Sequence, residues 1–491
     1  MTRISRASLI IAFFFSIDKV LGFVRQILFN RQFGPTERDI FFVSNNIPDL
    51  LSALISGGAL GMALIPVLTE YMDRDGRKAA WDLFSRILNL AFLVTAFIAV
   101  VIILLADPLI RYLIAPGFAD PVRWALTAKL MRLDLVAILI FSISGLVMAG
   151  LQANQHFLTP AMAPSFYNLG QIIGIMVLAP RFGILGLVYG VILGAFLHLG
   201  IQVPALIRYG YRWAPRIDLK NPGVRQVLYL MGPRFLSMLC LHIYFLTRDR
   251  FASFFQEGGV SALNNGWFIM QMPETLIGTA IAIALLPSLS EYIVRGESQV
   301  FSQTINRALR AMLALAIPAA TILAVCIRPL VQIMFNFNPS ENEMVVWATR
   351  AFLLGLIGHS WLEVGVRSWY AQQNARLPLL AAVAQIVVYI PMALFLSGTL
   401  GVPGLALADT LAFTGEALLL LFLLNRRFPG SLNVGSTLAR VSLASLVIAL
   451  LLYFLLKLPF PILPMTFGSL ACGGLITLPF IWPEIKMLIR L

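Results

Sequence analysis

Long apolar runs separated by short polar segments follow one another along the whole chain. Each run reaches about 20 residues, the length at which an α-helix crosses the hydrocarbon core of a membrane. The runs are continuously apolar and do not alternate in period two, so they predict membrane helices and exclude the strands of a membrane barrel. We expect about fourteen spans, at 8–29, 39–68, 82–105, 125–151, 160–179, 184–206, 226–247, 261–289, 308–327, 344–368, 377–397, 402–424, 438–457 and 463–483.

Short motifs recur in the same order in the two halves of the chain. The segment ALIPVLTEY at 63–71 returns as ALLPSLSEY at 284–292, and DPLI at 107–110 returns as RPLV at 328–331. In a membrane protein, duplicated halves usually indicate a transporter whose site lies at the repeat interface. The alternative is that Pro and Gly mark the ends of unrelated spans in similar ways.

The repeat predicts an all-α polytopic membrane protein with two pseudo-symmetric six-helix lobes and two C-terminal helices. The expected domains are an N-terminal lobe at 1–207, a basic cytoplasmic linker at 208–225, a C-terminal lobe at 226–429, and the last two transmembrane helices at 430–491. Because six is an even number, both lobes should enter the membrane the same way up and flank a central cavity.

Composition supports a membrane location. Hydrophobic residues make up 59% of the chain and charged residues 12%, whereas a soluble domain carries about 25% charged residues. Mean hydropathy is +0.86. Lys and Arg concentrate at the termini and in the even-numbered loops, so both termini are expected to be cytoplasmic. The net charge of +13 partly reflects this bias and does not require a nucleic-acid partner.

The chain lacks the motifs of common enzymes and cofactor sites. No Walker A sequence, HExxH motif or nucleophile elbow occurs, so we expect no ATP hydrolysis and no enzyme activity. Cys240, Cys326 and Cys472 lie in apolar spans without a shared spacing, which favours buried hydrophobes over disulfides or ligands. We therefore predict neither a metal nor a cofactor.

Polar residues cluster on one face of the first span. Asp18, Lys19, Gly22, Arg25 and Gln26 fall within about 120° of the helix circumference at 100° per residue. A charge at bilayer depth costs about 2.5–3.5 kcal/mol even on the lenient insertion scale, so this face should meet a cavity or a partner. We expect a cationic strip lining a cavity. The alternative is that Asp18 forms an ion pair with Lys19 or Arg25, which would still leave the other of these two cations on the same face.

Further intramembrane candidates lie in later spans. Arg234 begins the seventh span, where a snorkelling interfacial arginine is an alternative. Arg248 is expected near the outer end of that span, where it could lie at the cavity mouth. Glu274 lies mid-span in the eighth helix and could pair with a cation or bind a coupling proton. Asp409 and Glu416 share one face of the twelfth span and are candidates for cation coupling, or for structural hydrogen bonds.

The chain contains the motifs LGFVR at 21–25, DIFFV at 39–43, IPDLL at 47–51, APGF at 115–118 and LPSL at 286–289. These motifs resemble the MurJ (MviN) family of lipid II flippases, within the multidrug/oligosaccharidyl-lipid/polysaccharide superfamily. The resemblance implies a protein of the bacterial inner membrane that moves an undecaprenyl-pyrophosphate-linked peptidoglycan precursor from the cytoplasmic to the outer leaflet. It also implies a cationic central cavity and a lipid-tail groove formed by the last two helices.

The match is incomplete at the charged positions. Lys19 stands where the family usually has a first-span arginine, and Arg25 and Asp39 match the family. Ser52 and Phe268 occupy positions where the family carries arginines. The resemblance therefore implies the fold and leaves the exact headgroup open.

An anionic lipid-linked headgroup agrees with both lines of reasoning. Arg and Lys side chains are suited to a pyrophosphate, and Arg234 or Arg248 could compensate for the two missing arginines. Amide and hydroxyl side chains such as Asn46 and Ser52 could bind the sugar. Membrane lipids and cell-wall synthesis enzymes are further expected partners, and a monomer is expected.

Other functions stay open at this point. The runner-up is a flippase for another polyprenyl-linked polysaccharide, and a drug or cation antiporter is a weaker fit because the first span is cationic. A non-transporting scaffold for cell-wall enzymes would tolerate loss of the cavity charges.

Overall fold

The computed structural model describes residues 3–55 and 59–489, which form α-helices joined by short loops and contain no β-strand. The all-α prediction is therefore confirmed. The helices are α1 Arg3–Gln32, α2 Pro35–Ile55, α3 Ala59–Arg74, α4 Gly76–Pro108, α5 Pro121–Ala153, α6 Leu158–Ile173, α7 Ala179–Phe182, α8 Ile184–Gly200, α9 Val203–Arg208, α10 Pro222–Ala252, α11 Gly259–Glu274, α12 Ala280–Val294, α13 Ser298–Phe335, α14 Pro339–Leu354, α15 Leu356–Ala371, α16 Arg376–Leu400, α17 Val402–Arg427, α18 Gly435–Leu455 and α19 Ile462–Ile489. Three π-helical segments, Leu109–Ile114, Gly174–Leu178 and Thr275–Thr279, continue α4, α6 and α11.

Most predicted spans coincide with long apolar helices. Within the described ranges, 11 helices are long and apolar enough to cross a membrane, and the pair α14 and α15, bent by 43°, could form a twelfth span. The predicted first and seventh spans are helical as α1 and α10, but neither belongs to this set, and both carry charged residues in their interiors. The number of about fourteen thus stays a prediction.

The chain divides into two compact units, residues 1–257 and 258–491. In the first unit, α6 packs along α8 and against α1, while α5 packs against α2 and α8. Helix α10 contacts α2 and α3, and so it belongs to the first unit. The predicted C-terminal lobe begins at 226 because it follows the sequence repeat, and those lobe boundaries remain a prediction about the repeat.

Glycines bring α6 and α8 into backbone contact. A Cβ atom added at Gly174 would lie 2.7 Å from the Cα atom of Gly190 and 3.0 Å from the carbonyl oxygen of Gly186. Gly170 and Gly194 approach each other in the same way one turn along. Small residues at such spacing let membrane helices pack closely, because van der Waals contact replaces the hydrophobic effect in lipid. This contact fixes the two helices on which part of the candidate site lies.

The basic segment 208–225 lies along α4. The Arg216 guanidinium lies 2.7 Å from the Asp82 carboxylate, and the Tyr211 hydroxyl is 3.3 Å from the Ser85 hydroxyl. Burial raises the pKa of the Tyr211 phenol above its ordinary value. The segment is therefore anchored to the first unit by specific contacts.

In the second unit, α18 and α19 pack against α13 around one buried carboxylate. Glu484 on α19 is only 1% exposed. It accepts a hydrogen bond of 3.2 Å from Thr437 and lies 3.6 Å from the Arg310 guanidinium. Arg440 also forms an ion pair with it. We call these four residues the C-terminal clasp; they join the last two helices to α13.

Candidate functional site

A polar cavity lies inside the first unit, between α2, α5, α6 and α8. Its volume is about 230 Å³, and we call it the inner cavity. Pro48 on α2 and Pro164 on α6 are part of its wall, so both of these helices carry a proline where they line the cavity. The polar residues of its wall are Asn45, Asp49, Ser52, Asp134, Tyr167 and His198.

A second cavity of about 160 Å³ adjoins the inner cavity on the side of α1, and we call it the side cavity. Asn45, Asp49 and Tyr167 line both cavities. Arg25 and Gln171 line the side cavity alone. The two cavities therefore form one polar region with a cation on one side and carboxylates on the other.

The predicted polar face of α1 lies against α6. Asn168 donates a hydrogen bond of 2.8 Å to Asp18, and Arg25 donates one of 3.3 Å to the side-chain oxygen of Gln171. Lys19 is exposed and does not line either cavity. At 100° per residue Lys19 and Arg25 stand at opposite edges of the polar arc, which explains why only one of them reaches the side cavity.

Asp39 is buried at the start of α2, with an exposed fraction of 2%. Its carboxylate lies 3.9 Å from Arg123, whose guanidinium is 3.5 Å from Glu257 and 4.1 Å from the centre of the Phe118 ring. A carboxylate held in such an ion-pair cluster joins α2 to the start of α5. Asp39 is not among the residues that line either cavity.

The remaining candidates in the first unit lie on α2 and α10. Asn46 donates a hydrogen bond of 3.1 Å to Asp249, and Arg248, only 1% exposed, lies 3.1 Å from the same carboxyl group. Ser52 lines the inner cavity. Arg234 belongs to α10, but its side chain lies outside the described part of the chain.

The predicted ion-coupling residues are buried in the second unit. Glu274, at the end of α11, accepts a hydrogen bond of 3.3 Å from Thr279. Asp409 on α17 is fully buried, and its carboxylate lies 3.7 Å from the Nε2 atom of His359 on α15. Glu416 is buried two turns further along α17. Sequence reasoning did not find His359, because its neighbourhood depends on how α15 packs on α17.

Asp134, Tyr167 and His198 line the inner cavity but were not predicted from the sequence. Asp134 lies in the middle of α5 and is 1% exposed. A carboxylate inside an otherwise apolar span is itself a signal of function, so the sequence contained a clue to it. His198, whose Nδ1 atom lies 2.5 Å from the Ser144 hydroxyl, and Tyr167 carried no such signal.

The chemistry of this region suits binding and proton exchange rather than bond breaking. Arg25 is positioned to interact electrostatically with Asp49 across the side cavity. Among the described residues, no group of three or more His, Cys, Asp or Glu side chains could hold a metal ion. A guanidinium beside amides and carboxylates can bind a polar headgroup or exchange ions.

Curated relatives cover most of the chain. A lipid II flippase MurJ of Burkholderia cenocepacia is 28% identical over 397 residues, which are 78% of this chain and 76% of the relative. A probable lipid II flippase MurJ of Rhizobium meliloti is 26% identical over 476 residues, 94% of this chain and 89% of the relative.

Solved structures share the fold. A lipid II flippase MurJ in an inward closed conformation superposes with a TM-score of 0.83 at 22% identity, covering 98% of this chain and 100% of that one. An inward-facing multidrug resistance MATE family transporter of the MOP superfamily gives a TM-score of 0.73 at 14% identity, covering 84% of this chain and 95% of that one. The chain therefore has the helical fold common to these transporters.

The family described as "Lipid II flippase MurJ" matches residues 30–467 of the sequence. This match includes α2 to α18 and extends into α19, so it contains nearly all of both units. With this match, the chain belongs to the lipid II flippase MurJ family.

Proposed function

We propose that this chain is a flippase that moves an undecaprenyl-pyrophosphate-linked peptidoglycan precursor, lipid II, from the cytoplasmic to the outer leaflet by alternating access. The observation that carries the proposal is the family match through residues 30–467. The relatives are named as flippases of this lipid, which argues for transport and against an enzyme.

Arg25 is the cation that we assign to the pyrophosphate. A guanidinium presents paired donors that fit phosphate oxygens, and its binding strengthens where water is excluded. Arg25 lines a polar cavity and has an amide, Gln171, as its hydrogen-bond partner. Arg248 is a weaker candidate, since Asp249 already neutralises it. Lys19 is a second cation that the phosphate could recruit from an exposed position.

The remaining headgroup would use neutral donors. Ser52 in the inner cavity and Asn46 on the same helix are the side chains proposed for the sugar portion. Ser52 also supports a second candidate function, transport of another polyprenyl-linked glycolipid, because a hydroxyl replaces the arginine expected there. Phe268, half-buried on α11, stands where the family carries another arginine, and it supports the same second candidate.

The proposed setting is the bacterial inner membrane with both termini in the cytoplasm, as the distribution of Lys and Arg indicates. We propose a monomer that works beside cell-wall synthesis enzymes and exchanges its substrate with membrane lipid. Glu274, Asp409 and Glu416 are proposed as ion-coupling residues because each is a carboxyl group buried in a membrane helix.

A reconstituted assay separates the two candidate substrates. The full chain in lipid vesicles would be supplied with fluorescent lipid II or with an undecaprenyl-pyrophosphate-linked O-antigen sugar, and translocation would be followed by quenching of the outer leaflet. We expect faster translocation of lipid II than in empty vesicles. Translocation of the O-antigen lipid alone would reassign the substrate, and translocation of neither would reject both candidates.

A further inference from the structure

Asp134 has an unusual environment for a carboxylate at membrane depth. It is 1% exposed, and its Oδ2 atom is 3.5 Å from the Ser44 hydroxyl. Its Oδ1 atom has no hydrogen-bond partner among the described residues, and none of their cations lies within ion-pair distance of it. A buried carboxylate without a cation is costly as an ion, so the group is stable there only when a proton or another cation binds it.

The groups that face Asp134 make a proton the natural occupant. Asp49 on α2 lies near enough for the two carboxyl groups to repel each other when both are charged. Tyr167 on α6 and His198 on α8 line the same cavity. Two cations of α5 are paired elsewhere: Arg132 lies 2.5 Å from Asp107 of α4, and Arg123 pairs with Asp39 and Glu257.

A path for the proton follows from the shared lining of the two cavities. Asp49 is exposed and borders both the inner cavity and the side cavity, whereas Asp134 borders the inner cavity alone. Arg25 attracts Asp49 from the side cavity. Asp49 can therefore be paired with Arg25 or take part in proton exchange with Asp134.

Two of the helices that line the inner cavity contain a proline and can bend there. Pro48 on α2 adjoins Asp49, and Pro164 on α6 lies one turn before Tyr167. A proline inside a helix removes a backbone hydrogen bond and permits a kink. Helix α6 also continues into the π-helical segment 174–178, a feature frequent at functional sites. A charge change at Asp134 would act in a cavity that both of these helices line.

We propose that Asp134 is a proton-binding site in the first unit, and that its protonation is coupled to bending of α2 and α6 during transport. The coupling rests on the proposed flippase function, whereas the proton site does not. The site is distinct from the buried carboxyl groups of the second unit.

Two measurements on the full chain in vesicles test the proposal. Infrared difference spectra between acidic and alkaline buffer should show C=O bands of protonated carboxyl groups, and Asp134→Asn should lose the component that Asp134 contributes. The matched control, Asp107→Asn, removes an exposed and paired carboxylate and should keep that component. Translocation of fluorescent lipid II should be stimulated by an imposed pH gradient at zero membrane potential, and Asp134→Asn should lose that stimulation.

Each outcome decides one part of the proposal. An unchanged C=O spectrum in Asp134→Asn would overturn the proton site, whatever the substrate. Loss of the Asp134 component with full stimulation retained would overturn the coupling. Stimulation by a sodium gradient instead of a pH gradient would show that the coupled ion is sodium and would overturn the coupling to a proton. If the wild type translocates no lipid II while the Asp134 band is present, the flippase assignment fails and the proton site stands.

Discussion

At the scale of single residues, the charges inside the first unit are handled in three ways. Arg248 is buried against Asp249, Arg25 has a neutral amide partner, and Asp134 pairs with no cation among the residues that the structure describes. The first arrangement stabilises the fold, while the second and third leave charge available for a ligand. This difference separates structural from functional candidates better than position in the sequence does.

The buried pair of Arg248 and Asp249 should be structural. Asp249→Ala removes the carboxylate that lies 3.1 Å from a guanidinium that is 1% exposed, so we expect a loss of about 3–5 kcal/mol in the free energy of unfolding. A lower melting temperature of the purified protein in detergent measures this. Asp75→Ala, which removes one of the two exposed carboxylates paired with Arg74, is the control and should melt like the wild type. Equal melting of all three proteins would contradict a structural role.

The sequence located the polar face of α1 but not its partners. Helical periodicity alone places Asp18 and Arg25 together. Asn168, which donates to Asp18, and Gln171, which accepts from Arg25, each lie about 150 positions further along the chain. Only the packing of α1 on α6 brings these partners near. The sequence could have indicated Asp134, because it is a carboxylate in an otherwise apolar span. Only the structure shows that no cation among the described residues pairs with it.

At the scale of elements, close helix contacts hold the cavity walls in place. The backbones of α6 and α8 touch through glycines, and α6 lines the inner cavity with Pro164 and Tyr167. The apolar pattern predicted these spans well because their length is set by the membrane. It could not predict the π-helical segments, which depend on local packing.

The glycine contact gives a prediction for α8. Gly190→Val places a branched side chain against the backbone of α6, where a Cβ atom alone would lie 2.5 Å from Gly174. Overpacking of this kind costs about 1–3 kcal/mol. The folded fraction after heating, measured by size-exclusion chromatography, should fall. Gly200→Val, on the same helix with open space around it, should behave as wild type. A similar loss in both variants would mean that helix propensity, not the contact, is responsible.

The C-terminal clasp gives a prediction for α19. Glu484→Ala leaves Arg310 and Arg440 without their shared carboxylate. Backbone amides of 462–489 should then exchange at least about ten-fold faster, equivalent to about 1.4 kcal/mol. Hydrogen exchange with mass spectrometry measures the rate. Glu343→Ala breaks an exposed ion pair in the same unit and is the control. Unchanged exchange in Glu484→Ala would show that apolar packing alone docks this helix.

At the scale of the whole molecule, the sequence predicted the fold class, and the comparisons confirm the family. The internal repeat placed a boundary near 226, whereas the compact units divide after residue 257. A repeat records similarity between segments, while a compact unit records packing, and α10 packs on α2 and α3. The number of spans and the orientation of the termini stay predictions.

The central claim is that this chain transports lipid II with Arg25 holding the pyrophosphate. Losing a charge-assisted hydrogen bond of this kind costs about 1.5–3 kcal/mol, which slows transport by at least about ten-fold. Arg25→Lys keeps the positive charge and is the matched variant for Arg25→Ala.

The most direct measurement is growth of bacterial cells depleted of their own lipid II flippase and supplied with this chain at matched membrane levels. We expect rescue by the wild type and by Arg25→Lys, and lysis with Arg25→Ala. Rescue by all three would contradict the role of Arg25. Failure of a well-expressed wild type would contradict the assignment of lipid II as the substrate.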